Sequence, residues 1–355
     1  MRFSKLTAFN ISLGILFFFL GFNLGSARAL YDIPEDAYGI GKVSQTGPYV
    51  DIGVHNVGKI GLTVVNQGQF GTGFVASLPG EAPSCVYPYP GQNDYLFAGA
   101  FWIGAVVGRD TLVSVGADGW QFIREMWPDP GNFPPPAGGA IVSRSITDPN
   151  DLDAVSEQDY IAVYTDTVTD PGYVANDPFE GRPHKPLNIE VTQRSYSWSY
   201  AYAEDFVLFD YSIKNIGRKT LNQVYMGIYV DADVKTRNSQ EGFDDDICGF
   251  RRFIDSPQGC NFIDTINIAW ISDNDGLQSA EDECPYSTNS LIAVTATRVV
   301  RTPSDSLKYS FNWWISNGNS PSLDWGPRLA PTPEDPWRDF GGFLGTPEGL
   351  SLIHI

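Results

Sequence analysis

The chain has 355 residues, 42% of them hydrophobic and 14% aromatic, which is enough apolar material for a large packed core and excludes a wholly disordered polymer. Against 23 Lys and Arg stand 42 Asp and Glu, a net charge of −19. That field repels phosphate backbones and anionic lipid, so nucleic acid and acidic membrane surfaces are poor partners, while calcium and basic partners stay compatible with it.

Residues 1–29 have the organisation of a signal peptide. Arg2 and Lys5 precede the apolar run Leu13-Gly14-Ile15-Leu16-Phe17-Phe18-Phe19-Leu20, and Ala27-Arg28-Ala29 suits a cleavage site. The run is shorter than the roughly 20 residues of a spanning helix. Export with release is therefore expected, with a mature chain starting near Leu30 that is secreted or held at a bacterial cell surface and has no membrane span. In an oxidising compartment, Cys248, Cys260 and Cys284 are candidates for at least one local disulfide, with the pairing open.

Along the mature chain, β-branched and aromatic runs alternate with Gly, Pro, Asn and Asp clusters. Strands are expected at 60–65, 96–107, 111–115, 160–164, 187–192, 206–213, 223–230, 265–271, 292–300 and 309–315. The pattern is that of an all-β protein with antiparallel β-sandwich architecture, immunoglobulin-like or a larger two-sheet form, with long irregular loops. Three Asn-x-Gly triplets, at Asn56, Asn66 and Asn215, read as tight turns between strands. The third is expected to close a hairpin between 206–213 and 223–230, with Val207, Phe209, Tyr211 and Ile213 on the core face.

The Pro- and Gly-rich stretch from Trp127 to Gly139 cannot be a regular strand or helix and reads as a linker. The expected division is an N-terminal β domain over 30–127, a connecting region over 128–186, a C-terminal sandwich over 187–330 and an irregular tail over 331–349. One large sandwich is the alternative. Residues 350–355, Leu-Ser-Leu-Ile-His-Ile, match the in-frame translation of a sequencing-adapter end, CTG TCT CTT ATA CAC ATC. They are read as an artefact of a truncated gene in preference to a short apolar strand, so His354 is kept out of any site.

Several stretches carry a family resemblance. They are Gly99-Ala100-Phe101-Trp102-Ile103-Gly104, Gln193-Arg194-Ser195-Tyr196-Ser197-Trp198, Asn215-Ile216-Gly217, Val230-Asp231-Ala232-Asp233, Phe311-Asn312-Trp313-Trp314 and Leu323-Asp324-Trp325-Gly326-Pro327-Arg328. Together they resemble secreted bacterial β-rich proteins that often carry a C-terminal type IX secretion sorting domain. The resemblance implies a secreted, surface-associated β protein and brings no active site with it. No sorting domain is visible in this chain.

Candidate chemistry is sparse. His55, beside an Asn-x-Gly turn, and His184, between Pro183 and Lys185, read as ordinary loop residues, and no nucleophile elbow or zincin motif is present. Trp198, Trp313, Trp314 and Trp325 are candidate ligand-binding aromatics for an extracellular polysaccharide, with core packing as the plainer reading. A glycosidase needs paired carboxylates across a cleft, and sequence order does not supply a pair. The segment from Val230 to Phe250 is richer. Asp231 and Asp233 are two apart on a strand end, and Glu241, Asp244, Asp245 and Asp246 return after a loop, a supply of hard oxygen ligands suited to calcium. Asp273 and Asp275 form a weaker second candidate. A solvated acidic loop fits the first segment equally well and is the preferred reading of the second. The expectation is a non-catalytic structural or adhesive module, with a carbohydrate-binding module or carbohydrate-active hydrolase as the alternative.

Overall fold

The computed structural model describes residues 50–75, 82–118, 123–128, 139–177, 181–236, 246–255, 263–273, 291, 293–304, 306–315, 325–329 and 349–354. The described residues form strands and no helix. In chain order these are β1 (Ile52–His55), β2 (Gly61–Val65), β3 (Gln69–Gly71), β4 (Cys85–Val86), β5 (Asn93–Tyr95), β6 (Ala98–Val107) and β7 (Asp110–Val115). They continue with β8 (Val142–Arg144), β9 (Gln158–Thr165), β10 (Ile189–Ser197), β11 (Leu208–Asn215), β12 (Asn222–Asp231) and β13 (Val234–Thr236). The last are β14 (Ile247–Asp255), β15 (Ile263–Ser272), β16 (Val294–Arg298), β17 (Ser310–Ile315), β18 (Trp325–Leu329) and β19 (Gly349–His354).

Three antiparallel sheets result. The largest has 12 strands and runs β13-β5-β4-β2-β3-β6-β12-β19-β17-β18, with β1 joined to β2 and β7 to β6. A second runs β11-β10-β9-β8 and a third β14-β15-β16. The all-β, sandwich-like expectation holds, in a form larger than the roughly seven to nine strands of an immunoglobulin domain. The four-stranded sheet lies on the large one through aromatic pairs. Phe70 meets Phe209 with ring centroids 5.4 Å apart, and Phe101 stacks on Tyr211 at 4.9 Å. The third sheet joins the same core, where Phe250 stacks on Phe311 at 5.3 Å. Each fully buried aromatic of this kind stabilises the fold by about 1.5–3 kcal/mol.

Every strand expected from the sequence is present, with its ends moved. Val207, Phe209, Tyr211 and Ile213 are all buried, as alternation predicts. The hairpin through Asn215 is not formed. β11 pairs with β10, whereas β12 pairs with β6 and β19, so the chain crosses from one sheet to the other at this turn. The turn itself is of the expected kind, because Asn215 Oδ1 accepts the Gly217 N–H at 2.9 Å. The carbonyl of Asn188 also accepts the Ile216 and Gly217 N–H groups, which fastens the crossing to the loop before β10. The other two Asn-x-Gly triplets do close hairpins, β1–β2 and β2–β3.

The expected boundary near 127 does not divide the molecule. β6 from the N-terminal stretch and β12 from the C-terminal stretch are hydrogen-bonded neighbours, with Trp102 opposite Gly227. β5 and β13 pair in the same way. Residues 350–354, read as an artefact, take the place of an ordinary apolar strand, with β19 between β12 and β17. The signal-peptide segment lies outside the described residues.

Candidate functional site

The acidic segment is organised around a lysine. Asp231 closes β12 and Asp233 falls in the two-residue gap before β13, so the pair does not share one strand face as expected. Lys235 on β13 stands opposite Asp94 on β5, and its Nζ lies 3.0 Å from an Asp233 carboxylate oxygen. Asp246, 1% exposed, accepts the Val234 N–H at 2.8 Å. Burial works against the Lys235 charge, but Asp233, then Asp94 and Asp246, outweigh it and raise the ammonium above its ordinary value. An internal cation thus offsets the carboxylate repulsion that motivated a calcium site. Among the described residues no group of three or more His, Cys, Asp or Glu is placed to hold a metal ion. Glu241, Asp244 and Asp245 lie outside the described residues.

Asp273 follows β15 and accepts the Leu291 N–H at 2.8 Å, which ties the end of β15 to the residues that lead into β16. Asp275 lies outside the described residues, as do Cys260 and Cys284. Cys248, expected to be a disulfide partner, is a buried free thiol, and so is Cys85. Burial pushes both thiols up, with Asp246 adding to the effect at Cys248 and Asp94 at Cys85. Neither is an activated nucleophile. Trp198 is half-buried, stacked beside Tyr196 at 6.3 Å and edge-on to Phe206 at 5.9 Å, a packing role. Trp313 and Trp314 occupy β17, and Trp325 begins β18.

The two histidines are not loop bystanders. His55 ends β1 with 0% exposure and faces the inward row of β10, where alternation brings Ser195 and Ser197 to the same side. Its Nε2 is 2.7 Å from Ser195 Oγ and its Nδ1 is 2.8 Å from Ser197 Oγ. A hydroxyl can donate or accept, so a neutral imidazole satisfies both contacts. Burial lowers its pKa to about 3. The network runs on through the Ser197 N–H to Ser156 Oγ at 3.2 Å, and from Ser156 Oγ to Asp159 at 2.5 Å. Asp159 also receives the N–H groups of Val155 and Ser156 at 2.7 Å each, so its carboxylate anchors a loop rather than polarising the imidazole.

His184 sits among acceptors only. Its Nδ1 is 2.9 Å from Glu125 Oε1 and its Nε2 is 2.8 Å from the Asp166 carbonyl. Both ring nitrogens must donate, which requires the imidazolium. Burial opposes that charge, but hydrogen bonding and attraction to Glu125, aided by Asp166, raise the pKa above its ordinary value. The Asp166 carboxylate, fully buried, gathers Ser114 Oγ at 2.7 Å, the Leu187 N–H at 2.6 Å and the Ile189 N–H at 2.8 Å. Its pKa is raised by burial, against the pull of those donors. Glu125 accepts the Val115 N–H at 3.0 Å through its other oxygen. The cluster thereby staples the connection before β10 to β7 and to the irregular stretch at 123–128.

The sequence reading missed what one end of the four-stranded sheet displays. Pairing of Ser197 with Gln158, Tyr196 with Leu208 and Arg144 with Asp159 puts the β8–β9 and β10–β11 loops side by side. The β1–β2 turn joins them, because Gln158 Oε1 accepts the Asn56 N–H at 2.8 Å. From this end Tyr202 stands 82% exposed, with Tyr200 stacked beside it at 5.6 Å. The available signal was Ser199-Tyr200-Ala201-Tyr202-Ala203, two aromatics within a connection between strands. Elsewhere a shallow depression too small to hold a water molecule is lined by Val230, Ala269, Trp270, Ile271, Thr295, Ala296 and Thr297, with no titratable side chain among them. Fold and side chains together define an all-β antiparallel sandwich protein. Set beside family models, curated proteins and solved structures, the chain finds no match in any of the three.

Proposed function

We propose that the protein is a non-catalytic extracellular β-sandwich module with a structural or adhesive role. The observation that carries this reading is the way its titratable groups are spent. His55 and His184 have both ring nitrogens engaged within the fold, and Asp159 and Asp166 hold backbone N–H groups of neighbouring segments. General acid–base work needs a group that can reach a substrate proton and exchange it with solvent. These groups instead brace one strand or loop against another. The signal-peptide pattern at 1–29 and the resemblance to secreted β-rich proteins support the extracellular setting.

Calcium forms no part of this reading. The described part of the acidic segment already has Lys235 as its cation, and Glu241, Asp244, Asp245 and Asp275 lie outside the described residues. The test is incubation of the purified mature chain with a panel of polysaccharides, followed by measurement of new reducing ends. Release above the level of a heat-denatured sample would sink the non-catalytic reading.

A further inference from the structure

The geometry points to the loop end around Tyr202 as a docking face for a basic polypeptide surface carrying apolar side chains. The inference rests on the non-catalytic adhesive reading and names its partner chemistry. Exposed apolar side chains gather on two neighbouring loops: Ile146, Leu152 at 91%, Val155 at 56%, Tyr200 and Tyr202. Scattered exposed apolar residues need no explanation, but a group on adjacent loops marks an interaction surface.

The loops are braced in place. Ser199 donates from its N–H and its hydroxyl to the Glu157 carboxylate at 2.5 and 2.9 Å, which fixes one loop to the other. Ala203, 3% exposed, donates to the Tyr200 carbonyl at 2.7 Å and roots the turn beneath Tyr202. The Lys59 N–H donates to the Glu204 carbonyl at 2.7 Å, and its ammonium meets the Glu204 carboxylate at 2.6 Å. Arg144 at the end of β8 pairs with Asp151 at 3.1 Å and with Asp153 at 3.0 Å of the β8–β9 loop, where the Ile146 N–H reaches the Ser156 carbonyl at 2.9 Å. A tyrosine held out on a fixed turn binds with little ordering cost, which is why such side chains dominate interface energetics.

Charge selects the partner. Asp148, Asp151, Asp153, Glu157, Glu204 and Asp205 lie on the same loops as the apolar tips, and Lys59 and Arg144 are already in ion pairs with four of them. Loops that carry acids beside apolar anchors are complementary to Lys and Arg flanking an apolar side chain, and they repel nucleic acid and acidic glycans. The aliphatic share of the face, Leu152, Val155 and Ile146, fits protein side chains better than it fits the face of a sugar ring.

A random dodecapeptide library displayed on phage, panned against the purified mature chain, tests the proposal. Enriched peptides should combine Lys or Arg with an adjacent Leu, Phe or Trp. A fluorescent peptide of the consensus sequence should bind at least tenfold more weakly to Tyr202→Ala and to Leu152→Ala, with no more than a twofold change for Tyr225→Ala, an exposed aromatic on β12. Its affinity should fall severalfold from low to high salt. The absence of enrichment, a consensus without basic residues, or binding indifferent to Tyr202 and Leu152 would each overturn the proposal. So would glycan-array binding lost in Tyr202→Ala, which hands this face to sugar yet leaves the non-catalytic reading intact. Polysaccharide turnover, by contrast, defeats that reading itself.

Discussion

Two buried histidines in one molecule sit in opposite charge states because their neighbours differ in what they can donate. His55 lies between the hydroxyls of Ser195 and Ser197, which adapt to either ring tautomer, and burial holds it neutral with a pKa of about 3. His184 lies between a carboxylate and a carbonyl, neither of which can donate, and is held protonated. Burial opposes charge at both sites, so partner chemistry decides the state and burial alone does not.

The comparison can be broken most forcefully at His55. Its replacement by Ala should leave a cavity and two serine hydroxyls without their partner, at a cost of about 3–4 kcal/mol in chemical denaturation. A loss below about 1 kcal/mol would mean that the imidazole does not bridge β1 to β10.

A stability–pH profile tests the charge states directly. Below about pH 6.5 the unfolded chain protonates His55 while the folded one does not. The His55 contribution is therefore complete above that pH and lost as pH falls toward 3, at up to about 1.4 kcal/mol per unit. His184 runs the other way. Its contribution is complete below about 6.5 and is lost as pH rises through its raised folded value. His184→Gln should remove the alkaline limb and leave the acid one, and a variant that keeps both limbs would assign the alkaline one to another group.

Lys235 extends the comparison to a cation ringed by carboxylates. Because Lys235 is partly exposed, Lys235→Met should cost only about 1–2 kcal/mol, less than breaking a fully buried pair. Chelator should leave the wild-type melting temperature unchanged, and a drop would restore calcium to the segment. Tyr211 is the smallest case. Its buried hydroxyl has no hydrogen-bond partner among the described residues. Tyr211→Phe should be neutral or gain about 1 kcal/mol, whereas a loss would mean that the hydroxyl is satisfied in solution.

The strands with long alternating runs were legible in the sequence, β11 down to the residues of its buried face. What alternation cannot state is which strand pairs with which. The run to Val230 looked like the return arm of a hairpin and instead belongs beside β6 in another sheet. Strands of two or three residues such as β4, β5 and β8 have too few positions to show a period, and β14 was hidden by the acids that precede it. At the candidate sites, residue type misled. A His next to a turn reads as surface, yet Ser195 and Ser197, small polar residues on an inward row, had left space for it. Lys235 lies within the acidic segment from Val230 to Phe250, but its cross-strand partner Asp94 is remote in the chain, so only the β5–β13 pairing gives it a role.

The pairing of β6 with β12 has a consequence for how the chain reaches this state. β6 lies near the centre of the large sheet, and one flank stays open until β12, far downstream, has been delivered. A chain made N-terminus first presents Ala98–Val107 with one long apolar flank unpaired until β12 is available. Loop closure over that distance is slow compared with local hairpins, and the waiting edge is open to mispairing with other chains. The N-terminal β hairpins can form early, but the open flank of β6 is covered only when the C-terminal half arrives.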